Sequence, residues 1–94
     1  MQISNLSDHA RVRMQQRGIP GAALECLLDY GRVEHDHHGG AIVYLDKAAR
    51  RRLLREQGRE SLRQLGKRLD AYAVISTDGT VTTVGHRYKR IWRR

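Results

Sequence analysis

Between Leu69 and Tyr88 the chain reads LDAYAVIS, then Thr77-Asp78-Gly79-Thr80, then VTTVGHRY. Two runs rich in β-branched and aromatic residues fit a pleated surface, and the Asp-Gly between them supplies the positive φ that a tight two-residue connection demands. An antiparallel hairpin is therefore the strongest local constraint in the sequence. The sheet it belongs to should have one face for helices and one for water or a ligand.

Upstream, SDHARVRMQQRG has the marks of a helix. Ser7 is a candidate N-cap, Asp8 suits the positive end of the helix dipole, Leu6 can staple the first turn, and Gly18 stops the helix after Arg17. Ile19 and Pro20 open a second helix, with Pro20 in the first turn where its missing N–H costs nothing. Ala23, Leu24, Leu27 and Leu28 form its core-facing stripe, and Gly31 ends it. RVEHDH (32–37) is a polar edge-strand candidate, HHGG (37–40) contains a turn, and AIVYLD (41–46) is a second strand. From Lys47 to Arg68 the composition turns helical, with Asp46 as N-cap. Ala49 with Leu53, then Leu62, Leu65 and Leu69, repeat at helical spacing, and Gly58 splits the run into two short helices or one kinked helix. The order is ααββααββ: a small α+β domain in which an N-terminal helical hairpin packs on a mostly antiparallel sheet of about four strands.

A chain of 94 residues leaves room for one domain, 1–94, and a 39% hydrophobic content without Phe makes its core lean. The formal net charge is +8, carried by 18 Lys and Arg against 10 Asp and Glu, and 15 of the 18 are Arg. Guanidinium forks onto phosphate oxygens and stacks on bases, so this excess points toward a polyanion; an arginine-favouring codon usage accounts for the ratio equally well. Position says more than the sum. Residues 1–46 carry net −2, 47–68 net +7, 69–86 net −2 and 87–94 net +5. The lone Cys26 lies in an apolar run and reads as a small buried hydrophobe. No stretch approaches the roughly 18 apolar residues of a membrane span. MQISNLSDHA has neither a basic nor an apolar leader region, so a cytoplasmic protein without a membrane partner is expected.

Four constellations could carry chemistry. His9, Arg13 and Arg17, with Gln16 beside them, share a helix face at four-residue spacing. An imidazole can move a proton there while guanidinium offsets charge building on phosphorus oxygens; the alternative is a solvated face with a His in its first turn. At the last strand, alternation puts His86, Tyr88 and Arg90 on one face and Arg87 and Lys89 on the other, giving a proton carrier, a phenol and an anion clamp, or an ordinary polar strand end. His35 and His37, with Asp36 and His38, have the spacing of a metal chelate, but beside a Gly-Gly turn they read better as a solvated turn, and neither metal nor cofactor is expected. Arg50, Arg51, Arg52, Arg55, Arg59 and Arg63 would line a helix that tracks a phosphate backbone, docks an acidic protein, or simply faces water.

The segment HARVRMQQRGIP (9–20) resembles the opening of the DUF4258-like bacterial domains, where a His-Ala-x-x-Arg-Met-x-x-Arg-Gly-Ile helix leads into a second helix and a small sheet. The likeness rests on His9, Ala10, Arg13, Met14, Arg17, Gly18 and Ile19. The order of elements agrees through VTTVGHRY; the Arg-rich segment 47–68 and the His86-to-Arg90 ending depart from the pattern. Those domains resemble the small bacterial ribonuclease toxins that include RelE-like and colicin-like nucleases. The resemblance implies helices packed on a curved antiparallel sheet, metal-independent RNA cleavage in its cleft, and a neighbouring antitoxin protein. It carries His9, Arg13 and Arg17 over as site residues, while His86, Tyr88 and Arg90 enter by position only. The expected function is an RNA-directed domain, foremost a toxin-type endoribonuclease in which a ribose 2′-OH attacks the adjacent phosphorus. His86 or His9 would serve as acid or base, with Tyr88 or the other His as its partner and Arg13, Arg87 and Arg90 stabilising the phosphorane. A non-catalytic RNA, DNA or ribosome binding module, and an interaction domain for an acidic protein, are the alternatives.

Overall fold

A computed structural model describes residues 5–36 and 39–86. Its elements are β1 (Asn5–Leu6), α1 (Asp8–Arg17), α2 (Gly21–Tyr30), β2 (Arg32–His35), β3 (Ala41–Tyr44), α3 (Lys47–Leu65), a 3-10 turn (Gly66–Leu69), β4 (Ala71–Ile75) and β5 (Thr80–His86). The sheet order is β1-β5-β4-β3-β2. The last four strands pair antiparallel, while the two-residue β1 runs parallel to β5 along one edge. The chain is thus α+β with a four-stranded antiparallel sheet, and the expected order is matched in part. As expected, residues 47–65 are two helical stretches joined across a kink at Gly58, whose φ of 84° and ψ of 169° are open to glycine and strained for other residues. A 3-10 turn follows the second stretch.

Alternation along the strands decides which side chains meet the helices. Val33, Val43, Ala73 and Val84 stand opposite one another across the four antiparallel strands and face the core. Val43, Ala73 and Val84 are fully buried there with Leu24, Leu27, Leu28, Ala49 and Leu53. Arg32, Tyr44, Tyr72 and Gly85 form the next row, on the other face of the sheet.

The helices are fixed by the expected caps. Ser7 Oγ accepts from the Ala10 N–H at 3.1 Å and Asp46 Oδ1 from the Ala49 N–H at 2.8 Å, contacts worth about 1 kcal/mol each. The helical hairpin is corrected: α1 lies along β5, whereas α2 packs on α3, the 3-10 turn and the central strands. Gly31 ends α2 by turning extended, with φ −65° and ψ 153°, at a point with no room for a side chain: a methyl group on it would stand 2.2 Å from the Leu27 carbonyl oxygen and 2.6 Å from Val43 Cγ1.

The β4–β5 connection also differs from expectation. Ser76 N–H bonds the Thr80 carbonyl and Gly79 N–H the Ser76 carbonyl, so Thr77, Asp78 and Gly79 form a three-residue loop. A two-residue turn of the expected type needs positive φ at both Asp78 and Gly79. Only Gly79 has it, at 85°. Asp78 instead accepts from the Ser76 hydroxyl and from the Thr80 N–H.

Two predictions follow from this packing. Gly31→Ala should lower unfolding stability by more than about 2 kcal/mol, whereas Gly21→Ala, with nothing near its added methyl, should change it by less than about 0.5 kcal/mol; urea denaturation reads both. The Ser76 and Thr80 hydrogen bonds hold the Asp78 carboxyl below its ordinary range. Its contribution is present above about pH 4 and lost as pH falls through the folded value, so the stability gap between wild type and Asp78→Asn should narrow on acidification from about pH 6.

Candidate nucleic-acid interface

Ala49 and Leu53 bury one side of α3, which places Arg51 and Arg55, one turn apart, on the opposite side. Beyond the bend, Arg59 and Arg63 repeat the spacing, and all four are exposed. None has an ion-pair partner among the described residues. Like charges four residues apart on a helix repel by a few tenths of a kcal/mol, a penalty that a bound polyanion would reverse.

The other two arginines of the segment are engaged inside the protein. Arg50 pairs with Asp70 at the foot of β4. Arg52 donates to the Tyr30 carbonyl at 2.6 Å, capping the C-terminal end of α2, and Gln57 Nε2 donates to the Tyr30 hydroxyl at 3.0 Å. Arg50 and Arg52 thus fasten α3 to the domain, and the expected stripe of six narrows to four.

A second cluster forms where α1 meets β5. The Ser7 N–H donates to the Val81 carbonyl at 3.0 Å and its hydroxyl to the Thr82 carbonyl at 3.2 Å. At the far end, His86 Nε2 lies 2.7 Å from the Arg17 carbonyl oxygen. A carbonyl only accepts, so the ring nitrogen is the donor. Ten helical residues span about 15 Å and the matching stretch of β5 about 17 Å, so α1 is tied to the strand at both ends.

Arg17 straddles this edge. Its carbonyl takes His86 on the helix side, while its guanidinium reaches Gly85 on the other face. A methyl group at Gly85 would lie 2.7 Å from Arg17 Nη1 and 2.8 Å from the Tyr72 hydroxyl, so guanidinium and phenol meet over the space that a side chain there would take. Sequence reasoning missed Tyr72; its place beside Gly85 depends on the β4–β5 register, and its only signal was an outward position in an otherwise aliphatic strand.

His9 does not join this cluster. Arg13 Nε donates to His9 Nε2 at 3.4 Å, as the four-residue spacing expected. The pair stands toward the start of α1, however, with His9 about 12 Å along the helix from Arg17. Arg87, Tyr88 and Arg90, like His37, lie outside the described residues. His35 is exposed, and no group of three or more His, Cys, Asp or Glu suited to a metal occurs among the described residues. Burial and the charges of Asp29 and Glu25 push the Cys26 thiol up, in line with a small core-flanking residue. No helix of the described chain is long and apolar enough to cross a membrane.

Comparison with protein-family models, with curated proteins and with solved structures found no match. The functional reading therefore rests on the chain's own residues.

His86→Ala should cost about 1 kcal/mol by removing the α1 tether, and His9→Ala, on an exposed helix face, less than about 0.5 kcal/mol. Thermal and urea unfolding of the two variants check the difference.

Proposed function

We propose that the protein is an RNA-directed basic domain that holds a phosphate backbone on the arginine face of α3. The observation that carries this is the exposure of Arg51, Arg55, Arg59 and Arg63 without carboxylate partners among the described residues, beside Arg50 and Arg52 that are engaged. Four of the nine basic side chains of residues 47–68 are therefore presented outward at these positions. RNA, free or in a ribosome, is preferred to DNA because of the resemblance of residues 9–20 to the DUF4258-like domains and, through them, to ribonuclease toxins. The same resemblance makes an antitoxin the natural protein partner.

A second reading, the toxin-type endoribonuclease, is favoured by one observation: the Arg17 guanidinium and the Tyr72 phenol meet over Gly85 on one face of the β5 edge, while His86 stands at the same edge on the helix side. In it, a ribose 2′-OH attacks the adjacent phosphorus and the bond to the 5′-oxygen breaks, leaving a 2′,3′-cyclic phosphate and a 5′-hydroxyl, with His86 moving a proton. Arg13, Arg87, Tyr88 and Arg90 remain its further proposed members. His86 Nε2 is already committed to the Arg17 carbonyl, which places binding ahead of cleavage.

Fluorescence anisotropy with a short single-stranded RNA, titrated across salt, tests the first reading. Replacing Arg51, Arg55, Arg59 and Arg63 with Ala should make the slope of log K against log salt shallower by about 3, while His9→Ala leaves it unchanged. Equal slopes would remove the α3 face from the interface, and capture of an acidic protein instead of RNA would select the interaction-domain reading. For cleavage, RNA or a translating extract is incubated with wild type and His86→Ala in EDTA. Cleavage lost in the variant supports the enzyme, and equal background cleavage sinks it.

A further inference from the structure

The sheet ends at β2, where no other described element lies along the outer side of the strand. The Asp36 N–H donates to the Gly40 carbonyl at 2.9 Å, which sets the parity of the β2–β3 ladder. Arg32, Glu34 and Asp36 direct their backbone groups at β3, and Val33 and His35 direct theirs outward. Those outward N–H and C=O groups form a template for another strand. Native edges are usually blunted by charge, and β2 has Arg32 and Glu34 at such positions. Their order makes the edge self-complementary.

Only outward-directed residues can share hydrogen bonds across a new antiparallel junction, so three registers are open to two copies of β2. With the two-fold axis at Val33, each Val33 exchanges both backbone bonds with its counterpart, and Arg32 stands opposite Glu34 twice. With the axis at Glu34, Arg32 faces Asp36 twice, as favourable as the first register, but the two Glu34 carboxylates also oppose each other. With the axis at His35, Glu34 opposes Asp36. Opposite charges in directly facing positions contribute roughly 0.2–1 kcal/mol each and like charges oppose pairing, so the first register wins. Within one chain Arg32 Nε already bonds Glu34 Oε1 at 2.6 Å, on the face where the cross-strand partners would lie. Alternating Arg and Glu along two such edges can share those contacts between chains.

We infer that β2 is an isologous docking edge for a second copy of this chain, paired antiparallel about Val33 with Arg32 opposite Glu34, joining two sheets into one. The interface uses Gly31 to His35 of both copies, with His35 opposite Gly31, as a closed two-fold requires.

The test uses two charge variants of the full chain. Arg32→Glu makes positions 32 and 34 both acidic and Glu34→Arg makes them both basic. Sedimentation at rising concentration should show wild type in monomer–dimer exchange. Each variant alone should associate at least tenfold more weakly, and an equimolar mixture should recover association at the wild-type level or better. Circular dichroism of each variant monitors its fold. Independently of any substitution, amide exchange by NMR should slow at Val33 and His35 as wild-type concentration rises, with Arg32 and Glu34 unchanged. A wild-type chain that stays monomeric to about 1 mM, or variants that self-associate like wild type, would overturn the inference, as would protection that is independent of concentration.

Discussion

The row formed by Val33, Val43, Ala73 and Val84 is the contact on which the remaining architecture depends. It commits one face of the sheet to the helices, and because side chains alternate, a slip of one residue would turn toward the helices Tyr72 and Tyr44, the latter fully buried on the other face. Small residues at Ala71, Ala73 and Gly31 let the helical layer approach closely, and Leu27 and Leu53 fill what is left. A chain without Phe builds its core this way, from aliphatic contacts at short range.

From that commitment the placement of functional groups follows. His86 shares the helix-facing side with Ala71, its partner in register, and so meets the end of α1. Gly85 falls on the opposite face and leaves room for Arg17 and Tyr72. The α3 helix, buried through Ala49 and Leu53 and fastened at Asp70 and Tyr30, has one side left for solvent. The arginines divide accordingly into those that hold the helix and those that face outward.

Much of the fold was legible because it is written in local signals. Ser7 and Asp46 as caps, the Ala23-to-Leu28 stripe and the places of the four antiparallel strands each depend on a few neighbouring residues. What was not legible depends on distant ones. Whether Gly58 divides a helix or bends it is decided by the packing of both halves, and the three-residue loop at Thr77–Gly79 by the register of β4 on β5. The site shows the same divide. His9 and Arg13 pair as their spacing says, but Tyr72 reaches Arg17 only through the β4–β5 register. The engagement of Arg50 and Arg52 needed the positions of Asp70 and Tyr30, residues 20 and 22 away in sequence.

The central claim is that RNA is met by the outward arginines of α3. NMR of the guanidinium Nε–Hε groups during titration with single-stranded RNA tests it most directly. The account predicts the largest shifts at Arg51, Arg55, Arg59 and Arg63, with Arg50 and Arg52 held by their internal partners and nearly still. Shifts confined to Arg17 and the Tyr72 edge, with the α3 groups unmoved, would contradict it.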